Sequence, residues 1–123
     1  MGAERFAPVV YALMRGVFGF LFVFHGLQKI FGLFGGRTAD LISLRGLAGG
    51  IEIVAGTMIM IGFLTRPAAF VASGQMAFAY FLSHFQPSAF WPIQNRGELA
   101  VLYCFAFLYI ASRGAGPLGV DKR

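Results

Sequence analysis

Charge is scarce in this chain. Ten basic and five acidic residues are the only ordinary charges among 123, a share of 12%. A soluble domain carries about 25%. The few charges lie mostly between apolar stretches, and 58% of the chain is hydrophobic, with 15 phenylalanines. A water-soluble protein this small cannot bury that many rings, so the expected solvent is lipid.

Cysteine is nearly absent too. A single thiol, Cys104, excludes an intrachain disulfide, a CxxC redox pair and a cysteine metal site. It reads as a small buried apolar residue. Runs of basic residues are also missing. The net charge of +5 is scattered, which argues against nucleic acid and for bases at the ends of membrane spans. No P-loop, no nucleophile–base constellation and no flavin, haem or iron–sulfur motif is evident. No cleavable signal stands out either, and the first apolar stretch reads as a retained span.

What the chain does have is four apolar stretches, about 6–34, 47–64, 67–84 and 93–112. About 20 helical residues cross a bilayer, so the expected fold is an all-α membrane protein. It forms one domain over 1–123, an antiparallel four-transmembrane-helix bundle with short connections. Gly35 to Asp40 opens the first connection, Thr65-Arg66-Pro67 makes the second, and Pro87 and Pro92 mark the third. An even number of spans puts both termini on one side, here side A. Arg5, Arg66, Arg113, Lys122 and Arg123 fall there, against Arg37 and Arg45 on side B. The positive-inside rule then places the termini in the cytoplasm. Small residues suggest where helices touch: the Gly46/Gly50 spacing, and Ala69, Ser73 and Ala77.

Lys29 and Glu52 are charges inside apolar stretches, and such charges persist in lipid only when paired or useful. At about 1.5 Å per residue both lie roughly 9 Å inside side B, so they can pair. Connectivity brings other polar residues to the same half: His25 and Gln28 late in helix one, His84 at the end of helix three, Arg96 and Glu98 at the start of helix four. Glu98 is expected inside, near His84 or Arg96. Arg15 shares the His25–Lys29 face but lies deeper, so it needs a partner, with Gln75 a candidate, or must snorkel to side A. A metal site from His25, Glu52, His84 and Glu98 is conceivable in a bundle, but no H-x-x-E or E-x-x-H spacing supports it, and no metal is expected. The cluster is either an ion pair that fixes helix packing or a ligand or proton site.

The same residues carry a family likeness. Arg15-Gly16 with Gly26 and Lys29, Gly50-Ile51-Glu52 with Gly56, Gly62 and Thr65-Arg66, then His84, Phe90 and Pro92, and Gly97-Glu98 with Leu102-Tyr103 recur in order, closed by the tail Gly114-Ala115-Gly116-Pro117 to Asp121. Along nearly its full length the chain resembles the DoxX family of small four-helix bacterial membrane proteins. The family often has a serine shortly before the tail aspartate. Gly119 and Val120 stand here instead, which argues against a role for the tail. The family name comes from a membrane subunit of a thiosulfate:quinone oxidoreductase. The resemblance therefore implies a bacterial inner-membrane accessory subunit of a quinone-linked redox assembly, with no intrinsic cofactor and with quinone or a small lipophilic ligand at the polar cluster. Such a subunit is not an enzyme on its own and requires a partner protein or a second copy. A structural or assembly protein and a small proton-coupled transporter remain as alternatives.

Overall fold

The computed structural model describes residues 2–33 and 43–121. The first connection, with Arg37, and the terminal Lys122 and Arg123 lie outside the described residues. Among the described residues the protein is helical, with no β-strand.

Helix α1 spans Ala7–Phe31, after a 3₁₀ turn at Gly2–Phe6. Pro8 suits its first turn because the missing N–H has no helical partner there. The apolar run continues to Phe34, yet α1 ends at Phe31: Gly32 adopts a left-handed φ of 67° and closes the helix by donating to Gln28. Helix α2 covers Leu44–Ile61. It starts before its apolar run because the Ser43 hydroxyl caps it, accepting the Gly46 N–H at 3.0 Å. Gly62, with φ 76°, ends it. Helix α3 covers Thr65–Ala79 and widens into a π turn at Tyr80–His84. The Phe85 N–H reaches back five residues to the Tyr80 carbonyl at 2.9 Å.

The fourth apolar stretch, expected as one helix over 93–112, is two. A short α4, Pro92–Asn95, precedes α5, Glu98–Arg113. The break is at Arg96, whose φ is 62°, and at Gly97, whose Cα lies against the Tyr80 ring. A Cβ on Gly97 would stand 2.4 Å from Tyr80 Cε1.

The helices pack antiparallel. Helix α1 lies along α2, α2 on α3, α3 along α5, and α5 returns to α1. The α1–α2 seam is made of glycine. A Cβ at Gly19 would meet Met60 N at 2.6 Å, and one at Gly26 would meet the Gly49 carbonyl at 2.6 Å. From the other side, a Cβ at Gly56 would meet the Gly19 carbonyl at 2.9 Å. Gly50 of the expected Gly46/Gly50 pair faces open space instead. The close approach thus uses Gly19 and Gly26 against Gly49 and Gly56, seven residues apart on each helix. On the other crossing the small-residue stripe does pack. Ala69 and Ser73 are buried, and the Ser73 hydroxyl donates to the Cys104 carbonyl at 2.7 Å.

The surface is inverted relative to a soluble protein. Phe70, Phe81 and Phe105 are each 65% exposed, while Arg15 and Glu52 are each 1% exposed. Two helical stretches, Gly2–Phe31 and Leu44–Ile61, are long and apolar enough to cross a membrane. In lipid, apolar burial drives helix association little, so the close glycine contacts and polar bonds carry it.

The seam can be tested by size. Gly26→Leu should destabilise the detergent-purified protein by at least about 1–3 kcal/mol through overpacking, read as a lower Tm. Gly50→Leu should leave Tm close to the wild-type value. Equal effects of the two substitutions would disprove the assigned seam.

Candidate functional site: a polar cavity

The glycine seam brings the last turn of α1 onto the start of α2. Lys29 Nζ then lies 2.6 Å from Glu52 Oε2. Gln75, from the middle of α3, donates through Nε2 to the same oxygen at 2.9 Å and toward the Ala48 carbonyl at 3.4 Å. One carboxylate oxygen thus ties three helices. The other carboxylate oxygen, Glu52 Oε1, is buried with no hydrogen-bond partner among the described residues, and so is Gln75 Oε1. A buried acceptor left unpaired costs about 1–3 kcal/mol.

Glu52 and Lys29 stand on the wall of a cavity of about 450 Å³. His25, Arg45, His84 and Arg96 share that wall, and Phe22, Met76, Leu99 and Tyr103 supply much of its apolar part. His25 meets the Tyr103 ring edge-on, with centroids 5.8 Å apart. His84 is delivered by the π turn, with Nδ1 3.2 Å from the Asn95 carbonyl. Asn95 braces this corner: its amide donates to the Tyr80 hydroxyl at 2.9 Å and the Ala89 carbonyl at 3.0 Å. Its Oδ1 accepts the Gly97 N–H at 2.9 Å. Among the described residues the wall thus carries three cations, Lys29, Arg45 and Arg96, and one acid, Glu52.

The remaining candidates are placed elsewhere. Gln28 is half-buried beside Lys29 but off the cavity wall. Glu98, expected inside, is exposed in the first turn of α5, because the break at Arg96–Gly97 starts that helix late. The four residues considered as metal ligands do not converge: no group of three or more His, Cys, Asp or Glu among the described residues is placed to hold an ion.

Arg15 belongs to a second polar site at the opposite end. Its Nε donates to the Ala115 carbonyl at 2.8 Å, and Nη1 donates to Ile59 and Met60 at 2.7 and 2.9 Å. Nη2 reaches the Leu118 carbonyl at 3.3 Å. Gln75, considered as its partner, is engaged by Glu52 instead. The guanidinium therefore clasps the last turn of α2 to the tail. Nearby, the Tyr11 hydroxyl donates to the Gly114 carbonyl at 2.6 Å. The tail ends in a cap: the Asp121 carboxylate accepts the Leu64 and Thr65 N–H groups at 2.7 and 2.8 Å. It does so with Gly119 and Val120 before it, so the tail holds a structural role that the missing serine made less expected. Sequence reasoning missed this clasp because Arg15's partners are backbone carbonyls, which no residue type reveals. The Gly114-Ala115-Gly116-Pro117 turn before an aspartate was the only available signal.

An apolar exterior and two helices long and apolar enough to cross a membrane mark a helical membrane protein. Its family is settled by comparison. The DoxX family model matches residues 10–85. An uncharacterised protein of Haemophilus influenzae is 38% identical over 126 aligned positions, covering 98% of this chain and 94% of that protein's length. No solved structure matches the chain. The chain belongs to the DoxX family.

Two predictions follow from these sites. Lys29→Met should destabilise the protein by about 3 kcal/mol by stranding the Glu52 carboxylate, and adding Glu52→Leu should recover most of that loss. Thermal melts of the single and double variants decide it, and an equally unstable double variant counts against the pair. The Thr65 N–H, with that of Leu64 and the Arg15 charge, holds the Asp121 carboxyl below its ordinary value of 3.8. The cap therefore contributes stability above that pH and loses it as pH falls through the lowered value. Hydrogen exchange at the Leu64 and Thr65 amides should quicken below about pH 3.8 relative to the intrinsic rate. Asp121→Asn should show weak protection throughout.

Proposed function

We propose that this protein crosses the bacterial inner membrane four times, with cytoplasmic termini. In this reading it serves as an accessory subunit of a redox assembly, binding a lipophilic ligand of the quinone class in the side-B cavity. The crossing number is supported by continuity. Helix α3 and its π turn run unbroken from Thr65 to His84, about the 20 residues a span requires. Residues 92–113 reach a similar length across the Arg96–Gly97 break. The orientation rests on the arginines and lysine near the termini and the α2–α3 turn.

One observation carries the ligand reading: a cavity of about 450 Å³ whose lining brings together Lys29, His25, His84 and the ion-paired Glu52. Ligand sites are typically about 300–1,000 Å³, mostly apolar, with a few convergent polar groups. The residues fit a quinone. Lys29 and the histidines can donate to its oxygens. A quinone, when bound, supplies reversible uptake of two electrons and two protons. Because no electron-carrying motif is evident in the sequence, the electrons must come from a partner protein.

A competing structural reading has its own support, since Glu52 Oε2 alone joins α1, α2 and α3. A thermal melt separates the two. A soluble quinone analogue should raise the Tm of the wild-type protein in a concentration-dependent way, because ligand that binds only the native state stabilises it. Glu52→Gln should abolish that response. A wild-type protein indifferent to the analogue, with a large Tm drop in Glu52→Gln, leaves only the structural role.

A further inference from the structure

A second cavity, of about 470 Å³, lies at the side-A end, where the start of α1, the start of α3 and the end of α5 meet. Tyr11, Arg66, Arg113 and Asp121 line it. Both arginines are exposed, and neither has a carboxylate partner among the described residues. Arg66 gives Nη1 to the Ala111 and Ser112 carbonyls and Nη2 to the Arg113 carbonyl. Its Nε meets no acceptor among the described residues. Arg113 gives only Nη1, to the Tyr109 hydroxyl at 3.3 Å, and lies over the Tyr11 ring, 5.3 Å from its centroid. A guanidinium has five N–H donors, so most of those on Arg113 are unused. Asp121 is the one acid among the lining residues, and its oxygens hold the Leu64 and Thr65 N–H groups. The surplus at this end is positive charge with donors to spare.

The same two arginines stand at the head of an apolar groove between α3 and α5. The groove, of about 540 Å³, is lined by Phe70, Phe105, Leu108, Tyr109, Ala111 and Ser112. Phe70 lies one turn after Arg66 on α3, and Tyr109 one turn before Arg113 on α5, so each arginine shares a helix face with a groove residue. The Ala111 and Ser112 carbonyls that hold Arg66 belong to groove residues. Phe105 lies two turns before Arg113, about 12 Å further along α5. Phe70 and Phe105 are each 65% exposed, so the groove is open to the surrounding lipid. Helix α3 begins at Thr65 and α5 ends at Arg113, which puts the arginines at the level where a bilayer places its head groups.

We propose that this end of the protein binds an anionic phospholipid, with its phosphodiester on Arg66 and Arg113 and one acyl chain in the Phe70–Phe105 groove. A guanidinium matches phosphate oxygens in a fixed fork, and basic pockets between membrane helices on the cytoplasmic side take anionic lipid heads. A head that carries an ammonium, as in phosphatidylethanolamine, brings a third cation to the two arginines. A glycerol head brings none, so the site prefers phosphatidylglycerol. A soluble phosphate shares the head chemistry but has no chain for the groove. The site is separate from the side-B cavity and requires only that α3 and α5 stand in the bilayer.

Native mass spectrometry of the full chain in detergent tests this. The probes are phosphatidylglycerol and phosphatidylethanolamine with identical acyl chains, and glycerol phosphate as a soluble head. Phosphatidylglycerol should be retained, one per chain, at least about ten-fold more tightly than phosphatidylethanolamine. Arg113→Gln should remove most of that preference. Arg5→Gln, at an exposed side-A arginine off the cavity wall, should keep it. Phe105→Ala leaves every charge in place and should weaken phosphatidylglycerol retention, a reading that stands even where Arg113→Gln does not fold. Equal binding of the two lipids, or equal losses in Arg113→Gln and Arg5→Gln, overturns the site in favour of general attraction to basic helix ends. Unchanged retention in Phe105→Ala, or glycerol phosphate bound as tightly as the lipid, overturns the lipid as the occupant.

Discussion

A carboxylate with 1% of its surface exposed, set among apolar helices, must keep its cation within contact distance. Much of the architecture follows from that demand. Helices with ordinary side chains between them stand about 8–10 Å apart, and at that spacing the Lys29 ammonium would meet Glu52 less closely. Glycine removes the spacer. A Cβ on Gly49 would lie 3.0 Å from the Lys29 Cβ, so the lysine stem crosses α2 directly over a residue with no side chain, three positions before Glu52. The glycine seam and the ion pair are therefore one feature. The seam sets the reach of the lysine, and the pair helps hold the seam closed where lipid gives little hydrophobic drive.

Arg15 and Lys29 sit on the same helix face about four turns apart, and the chain neutralises them by different means. A guanidinium offers five donors in a rigid plane. Arg15 spends its donors on four backbone carbonyls, of Ile59, Met60, Ala115 and Leu118. Two of these belong to the C-terminal turn of α2, where the helix dipole already favours a cation. An ammonium is a compact point charge, and Lys29 takes one carboxylate oxygen. Neither residue could exchange with the other. Lysine at 15 would leave carbonyls unpaired, and arginine at 29 would need room that the Gly49 contact does not give.

The fold was readable because its strongest signals are compositional. Apolar stretches bounded by glycine and proline set the helices to within a few residues, and hairpin connectivity alone brought Lys29 to the level of Glu52. The errors have physical causes. Gly32 and Gly97 act through backbone conformation and close approach, so a hydropathy pattern runs straight through them. Gly46 and Gly50 share a spacing with real helix-contact motifs, but the crossing falls on Gly49 and Gly56, and no single sequence tells which glycine faces a neighbour. Gln75 meets Glu52 rather than Arg15 because it lies at the level of Glu52, while Arg15 sits at the other end of α2. The Arg15 clasp was hidden because its acceptors are main-chain atoms.

The cavity lies where two helices depart from regularity. Helix α3 widens into a π turn that carries His84, and the chain opposite breaks at Arg96, which sits at φ 62°. A left-handed conformation costs a residue with a Cβ about 1–2 kcal/mol, and the unpaired Glu52 oxygen adds about 1–3 kcal/mol. An α-helical α3 joined to an unbroken α5, with leucine in place of the pair, would avoid both costs. The opposite end carries comparable strain, with Leu64 at φ 46° and Leu118 at φ 64° where Arg15 and Asp121 tie the tail down, so a left-handed residue does not by itself mark a ligand site.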